Sequence, residues 1–233
     1  SITSCDVYRT LRYGGLPSQN DHKHFTQRII KNESPVFNFY NASNKYQLGK
    51  KIGVTSRDLN ATNISLDSFA VIHKTKAFLI IRNDTVVYEK YDKNYNKTSA
   101  FSSFSTVKPF VSSLIGIAID EGKIKSENDL LITYLPQYRS KKGWDKITIK
   151  NLLQHTSGIK FTDNPFNPIS DNAEFYWGNN LRQELMDLKL ESLPNLNFKY
   201  SSANTMLLGL IIEKVTGGTI SQNLEEKIWK PIG

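Results

Sequence analysis

The chain has 233 residues, 39% hydrophobic and 22% charged, enough to bury one sizeable core with or without an inserted lobe. Lys and Arg outnumber Asp and Glu by 30 to 22, a formal charge of +8, but the excess is scattered as KK, KTK and KIK pieces. That scatter describes a solvated basic surface and argues against a nucleic-acid partner. No run approaches the roughly eighteen apolar residues that a membrane-spanning helix needs.

The single cysteine, Cys5, excludes an internal disulfide framework. It closes the stretch ITSC, Ile2 to Cys5, in which an aliphatic residue and two small residues precede the cysteine. This resembles the lipobox at which bacterial lipoproteins are cleaved and acylated. The expectation is lipidation at Cys5, membrane anchoring through it, and a place in the bacterial cell envelope, periplasmic or membrane-anchored. A free thiol in a disordered tail is the other reading. Residues 1–66 are polar and rich in Asn and Lys, and read as an irregular lead-in. The alternating His22 and His24 have no carboxylate or cysteine cluster beside them in sequence, so no metal is expected there.

A domain is expected over 67–233. It begins with AFLIIRNDTVVYEKY, Ala77 to Tyr91, where two β-branched and aromatic runs flank Asn83-Asp84 and predict a β-hairpin. VKPFVSSLIGIAIDEGKI then predicts a buried helix stopping at Gly122, with Ser112, Ser113 and Gly116 small enough for a neighbouring helix to approach. ITIKNLLQHTSG predicts a helix capped by Thr148 and ending near Gly158. NLRQELMDLKL, SSANTMLLGLIIEKVTGG and SQNLEEKIWKPIG predict three more helices, and FTDNPFNPISDN a long loop. Strands come first and helices after.

Chemistry concentrates in FSSFSTVKPF, Phe101 to Phe110. A serine hydroxyl attacks a carbonyl only with a base in hydrogen-bond reach, and residues three apart on a helix share a face. Lys108 would therefore stand one turn along from Ser105. Pro109 lacks an N–H and fits within a first turn, which puts the helix start near Ser105 or Thr106. That start offers backbone N–H groups to an anionic intermediate. Spacing alone is weak, since composition predicts ~2 Ser-x-x-Lys pairs by chance. The chain has two, Ser105/Lys108 and Ser157/Lys160, and only the first opens an apolar helix.

FSSFSTVKPFVSSLIGIAIDEGKI resembles the active-site helix of the serine β-lactamase-like and penicillin-binding-protein-like family. That family includes class C β-lactamases, D-Ala-D-Ala carboxypeptidases, family VIII esterases and 6-aminohexanoate-oligomer hydrolases. ITIKNLLQHTSGI, LPNLNFKYSSANTMLLGLIIEKVTGG and IWKPIG resemble three further family segments in the same order. The resemblance implies an α/β (α+β) β-lactamase-like fold, an antiparallel sheet with a helical lobe. It implies Ser105 as the acylated nucleophile, Lys108 as its base or proton relay, and Tyr200 as the catalytic tyrosine. It implies no cofactor. Ser202 stands where β-lactamases usually have Asn, which favours a linear amide or ester substrate, small molecule or short peptide. Ser202 would then support substrate by hydrogen bonding, or would be only an N-cap. His155 is expected to brace its loop. The family's third motif, a Lys-Thr-Gly or His-x-Gly strand, has no counterpart after Tyr200, and a fragment of a longer protein is the expectation. A penicillin-recognising sensor lipoprotein that does not turn over is the alternative function.

Overall fold

The computed structural model describes residues 4–45, 48–51, 53–56, 61–164, 167 and 170–233. The chain divides into two compact units, residues 1–34 with 102–233 and residues 35–101. This division differs from the boundary expected at residue 67. The polar first part is shared out, because its first helix packs against a later helix while its first strand pairs with the hairpin.

Helix α1 (Ser4–Arg12) belongs to the first unit, in a stretch expected to be irregular. The Cys5 side chain lies outside the described residues. The second unit holds β1 (Tyr40–Asn41), α2 (Leu48–Lys51), β2 (Gly53–Ser56), β3 (Ala61–Ser65), α3 (Leu66–Ile72), β4 (Ala77–Arg82) and β5 (Thr85–Tyr91). β4 and β5 form the expected hairpin, antiparallel from Ala77 opposite Tyr91 to Arg82 opposite Thr85. Asn83 and Asp84 both take positive φ, 49° and 54°, as a two-residue type I′ turn demands. β1 adds to β5 in parallel, giving the order β1-β5-β4, and β2 with β3 makes a separate antiparallel pair. Tyr88 is buried on β5 and donates to Asp67 Oδ1 at 2.9 Å, an oxygen that also accepts from Lys90 Nζ. Burial and then the Asp67 charge push the Tyr88 phenol up to about 12, while Lys90 holds the Asp67 carboxyl below its usual range.

The first unit resumes with α4 (Val107–Asp120), α5 (Leu131–Tyr134), α6 (Ile149–Leu153), α7 (Asp171–Trp177), α8 (Leu181–Asp187), α9 (Ser202–Thr216), α10 (Ile220–Leu224) and α11 (Lys230–Ile232). A wide π-type turn, Glu225–Trp229, interrupts what the sequence suggests is one last helix. The core lies between α4 and α9. Val111, Leu114, Ile115 and Ala118 form a buried stripe at helical spacing and belong to one cluster with Ala203, Leu207, Leu208, Ile211 and Ile212. Each valine, leucine or isoleucine among them, fully buried, contributes about 1.5–3 kcal/mol. Ser112, Ser113 and Gly116 fall on the opposite side and are exposed, so the close helix contact expected of them is not made. A Cβ on Gly116 would meet nothing within 4 Å. Among the described residues, no helix is long and apolar enough to cross a membrane.

Candidate active site

Ser105 sits in a one-turn 3₁₀ segment, Phe104–Thr106, that runs directly into α4. Pro109 is the third residue of α4, inside the first turn where an N–H has no intrahelical partner to lose. Lys108 is helical in spite of the proline that follows it, against the usual bias of that position. The amine therefore lies over the same turn as the hydroxyl, and Lys108 Nζ donates to Ser105 Oγ at 3.1 Å. Phe104 takes φ 47°, an unusual conformation for a bulky residue, immediately before Ser105.

Tyr200 arrives from the other half of the unit, on the lead into α9. Its Oη donates to Ser105 Oγ at 2.8 Å, and Lys108 Nζ lies 5.0 Å from its ring centre. The structure thus brings together three of the residues singled out from sequence, all within the unit of residues 1–34 and 102–233. Ser202 takes a different part. It is the first residue of α9, with Ser201 as the N-cap. Its N–H and Oγ both donate to Asp163 Oδ2, at 3.0 and 2.9 Å, and Asn172 donates to the other Asp163 oxygen.

The loop after α6 holds Tyr200 in place. α6 ends at Leu153, short of Gly158, because the chain turns out of the helix at His155 with φ 57°. Lys199 N–H donates to the His155 carbonyl at 2.9 Å, and Ser201 N–H donates to His155 Nδ1 at 3.2 Å. Asn204 Nδ2 also lies 3.2 Å from that nitrogen, while Asn204 Oδ1 accepts from Ser157 Oγ at 2.7 Å. Two donors facing Nδ1 require it unprotonated. Burial first and the Lys108 charge second hold the His155 imidazole below its ordinary range. His155 is a brace. Gly158 closes the loop at φ +73°, and a Cβ there would come within 2.3 Å of the Ser192 carbonyl oxygen, so only glycine fits. The second Ser-x-x-Lys pair is spent on this clamp: Ser157 is buried against Asn204 and Lys160 is exposed.

Ser105 and Lys108 open onto a cavity of about 440 Å³ that Asp163, Asn172 and Ser202 also line. Asn204 and Asp163 were not singled out from sequence. Their partners across the fold, Ser157 for Asn204 and Ser202 for Asp163, lie 47 and 39 residues away, beyond any local pattern. Among the described residues, no group of His, Cys, Asp and Glu is placed to hold a metal ion.

A serine flanked by a helical lysine and a tyrosine from a second helix start, within one largely helical unit, is the layout of a β-lactamase-like protein. The chain belongs to the Beta-lactamase family, whose model matches residues 73–233. A Bacillus anthracis structure assigned as a 6-aminohexanoate-dimer hydrolase shares its fold, with a TM-score of 0.79, 23% identity, and coverage of 96% of this chain and 59% of that one. Protein flp of Staphylococcus aureus (strain MW2) is 29% identical over 186 residues, 77% of this chain and 36% of its own. A Salmonella agona (strain SL483) protein assigned as a D-alanyl-D-alanine carboxypeptidase is 33% identical over 121 residues, 48% of this chain and 27% of its own. The chain spans about a third of the length of the curated relatives it matches.

Proposed function

We propose that the protein is a serine hydrolase that acts through an acyl-enzyme on Ser105 and cleaves a linear amide or ester. The observation that carries this reading is the meeting of Lys108 Nζ and Tyr200 Oη on Ser105 Oγ, at 3.1 and 2.8 Å. Both contacts point toward the serine oxygen, so its proton must leave along one of them with that contact reversed. Ser105 Oγ attacks the carbonyl carbon, and the proton passes into the Lys108–Tyr200 pair. The negative charge that develops on the carbonyl oxygen lies near the N-terminus of the fourteen-residue α4, whose dipole favours it. The tetrahedral intermediate collapses by breaking the bond to the amine or alcohol, which takes the proton back from the pair. Water then attacks the Ser105 ester by the reverse proton route, releasing the acid and restoring the hydroxyl.

The relatives assigned as an aminohexanoate-dimer hydrolase and a D-alanyl-D-alanine carboxypeptidase support hydrolysis of an amide. Ser202 favours a linear substrate over a β-lactam, and in this reading it serves the site by tying the start of α9 to Asp163. Acylation of Cys5, tethering the protein to the bacterial envelope, belongs to the same proposal on the strength of ITSC. A Cys5→Ser protein that still partitions into detergent would remove that part.

The test is the intact mass of the full-length protein after exposure to a fluorophosphonate and, separately, to a penicillin. One adduct per chain that is absent from Ser105→Ala is expected. Rapid release of a penicillin adduct fits a hydrolase, and an adduct stable for hours fits the sensor. A wild-type protein that neither reagent labels overturns the assignment of Ser105.

A further inference from the structure

The cavity in front of Ser105 has a wall from an unexpected part of the chain. Pro17 lines it, on the apolar side with Phe104, Val107, Phe175, Tyr176 and Met206. The segment that carries Pro17 is fixed at both ends of the site. On one side Ser102, three residues before Ser105, donates its N–H to the Gln19 carbonyl at 3.0 Å, and its Oγ accepts from His22 N–H at 3.2 Å. On the other side Tyr176 Oη donates to Asp21 Oδ2 at 3.0 Å.

Asp21 is the pivot. It is 2% exposed, and its two oxygens also accept from Ser18 N–H and Ser18 Oγ, each at 2.6 Å. A buried carboxylate is retained only where donors surround it, and here one of those donors is a side chain of the cavity wall. Burial and then the Asp21 charge push the Tyr176 phenol well above its ordinary range, so it remains a donor. Behind this contact Phe25 meets Tyr176 edge-on at 5.4 Å and Tyr13 stacks on Trp177 at 5.4 Å, seating the segment on α7. Phe104, in its left-handed conformation, lays its ring parallel to Tyr176 at 6.5 Å.

We propose that residues 17–22 are a fixed wall of the substrate site, that this wall selects a bulky apolar or aromatic acyl group for transfer to Ser105, and that Asp21 is its positioning residue. The proposal rests on the assignment of Ser105 as nucleophile. Asp21 acts through Pro17 and Tyr176: it sets where the proline ring and the phenol ring stand, and these two bound the space beside the attacking oxygen. A cavity of this size and lining admits an aromatic ring or a short alkyl chain. The hydrogen-bonding groups Asp163, Asn172 and Ser202 are left to face the polar part of the substrate.

The experiment compares p-nitrophenyl acetate with p-nitrophenyl phenylacetate on the full-length protein, with fluorophosphonate labelling of Ser105 followed alongside. The wild type is expected to favour phenylacetate in kcat/KM. Asp21→Ala should lower the phenylacetate-to-acetate ratio by about tenfold, mainly through KM, the size of effect a hydrophobic pocket commands. Asp21→Asn, which still offers an oxygen to Ser18, should restore most of it. A wild type without the preference, or an Asp21→Ala ratio equal to wild type while Ser105 still labels, overturns the wall and leaves Ser105 standing. Failure of wild-type labelling overturns both. If Asp21→Ala does not fold, Pro17→Trp decides: filling the cavity from the wall must cost phenylacetate more than acetate, and an equal loss overturns the proposal.

Discussion

The two units of this chain solve the stability problem differently. In the first, the buried cluster runs continuously from Val111 on α4 to Ile212 on α9, with Tyr138 and Trp144 stacked at 4.5 Å inside it. In the second, the described residues bury Leu66, Ala70, Val86 and Tyr88 and leave Val71, Ile72, Leu79 and Ile81 exposed. That unit leans on backbone pairing and on polar contacts such as Tyr88 and Lys90 with Asp67. The groups proposed to react all stand on the first. Lys108 rides on α4, Ser105 on the 3₁₀ turn that runs into it and Tyr200 on the lead into α9, and α4 and α9 are the two helices whose inner faces make the core. A hydroxyl, an amine and a phenol that must meet within a few tenths of an ångström need a frame that does not give, and exposed tips on buried helices supply it.

The largest expected effect separates tip from frame. Lys108→Ala and Tyr200→Phe should each slow acylation of Ser105 by about 10²- to 10⁴-fold, the usual share of a proton-transfer group. Both groups lie at the surface end of their helices, so thermal unfolding should move little. A midpoint that collapses together with the rate would mean that these side chains hold the unit up, and the division between chemistry and frame would fail.

Next comes the frame. Leu207→Ala removes a fully buried side chain from α9 and should cost about 2–5 kcal/mol, read from urea midpoints. Tyr88→Phe in the second unit takes away one donor to Asp67 and leaves Lys90 in place, so about 0.5–1.5 kcal/mol is expected. Ser105 labelling should fall with the first variant near its midpoint and persist in the second. Equal costs in both variants would show that the second unit is packed as firmly as the first.

What could be read from sequence was local. Pro109 and Gly122 bracket α4, Thr148 caps α6, and Asn83-Asp84 makes its turn, each through constraints a few residues long. Ser105 and Lys108 drew notice because their spacing opens an apolar helix, and the family resemblance, which gave them their roles, alone pointed to Tyr200. The supports were not. Asn204 matters because Ser157 and His155 come to it across the fold, and Asp163 because α9 begins beside it. α1 was read as irregular since its stability comes from α7, far along the chain. Ser112, Ser113 and Gly116 misled for the opposite reason: small residues on an apolar helix suggest a close neighbour, whereas burial depends on which side faces the core.

The smallest effect concerns the brace between the loop after α6 and the start of α9. His155 accepts from Ser201 through an unprotonated Nδ1, and its imidazole is held below the ordinary range by burial and by Lys108, partly offset by Asp163. The unfolded chain has the ordinary value near ~6.5, so as pH falls below that, the unfolded state takes a proton that the folded state declines. The contribution of His155 is therefore complete above ~6.5 and is lost as pH falls toward the lowered folded value, at no more than about 1.4 kcal/mol per pH unit. His155→Gln should be less stable than wild type at neutral pH, and the gap should narrow on acidification, since glutamine does not titrate. Comparing urea midpoints of the two proteins across pH 5 to 7.5 cancels the carboxylates they share. A gap that stays constant over that range would mean that the ring nitrogen facing Ser201 does not need to be free of its proton, and that Tyr200 is positioned by Asn204 and the Lys199 backbone contact alone.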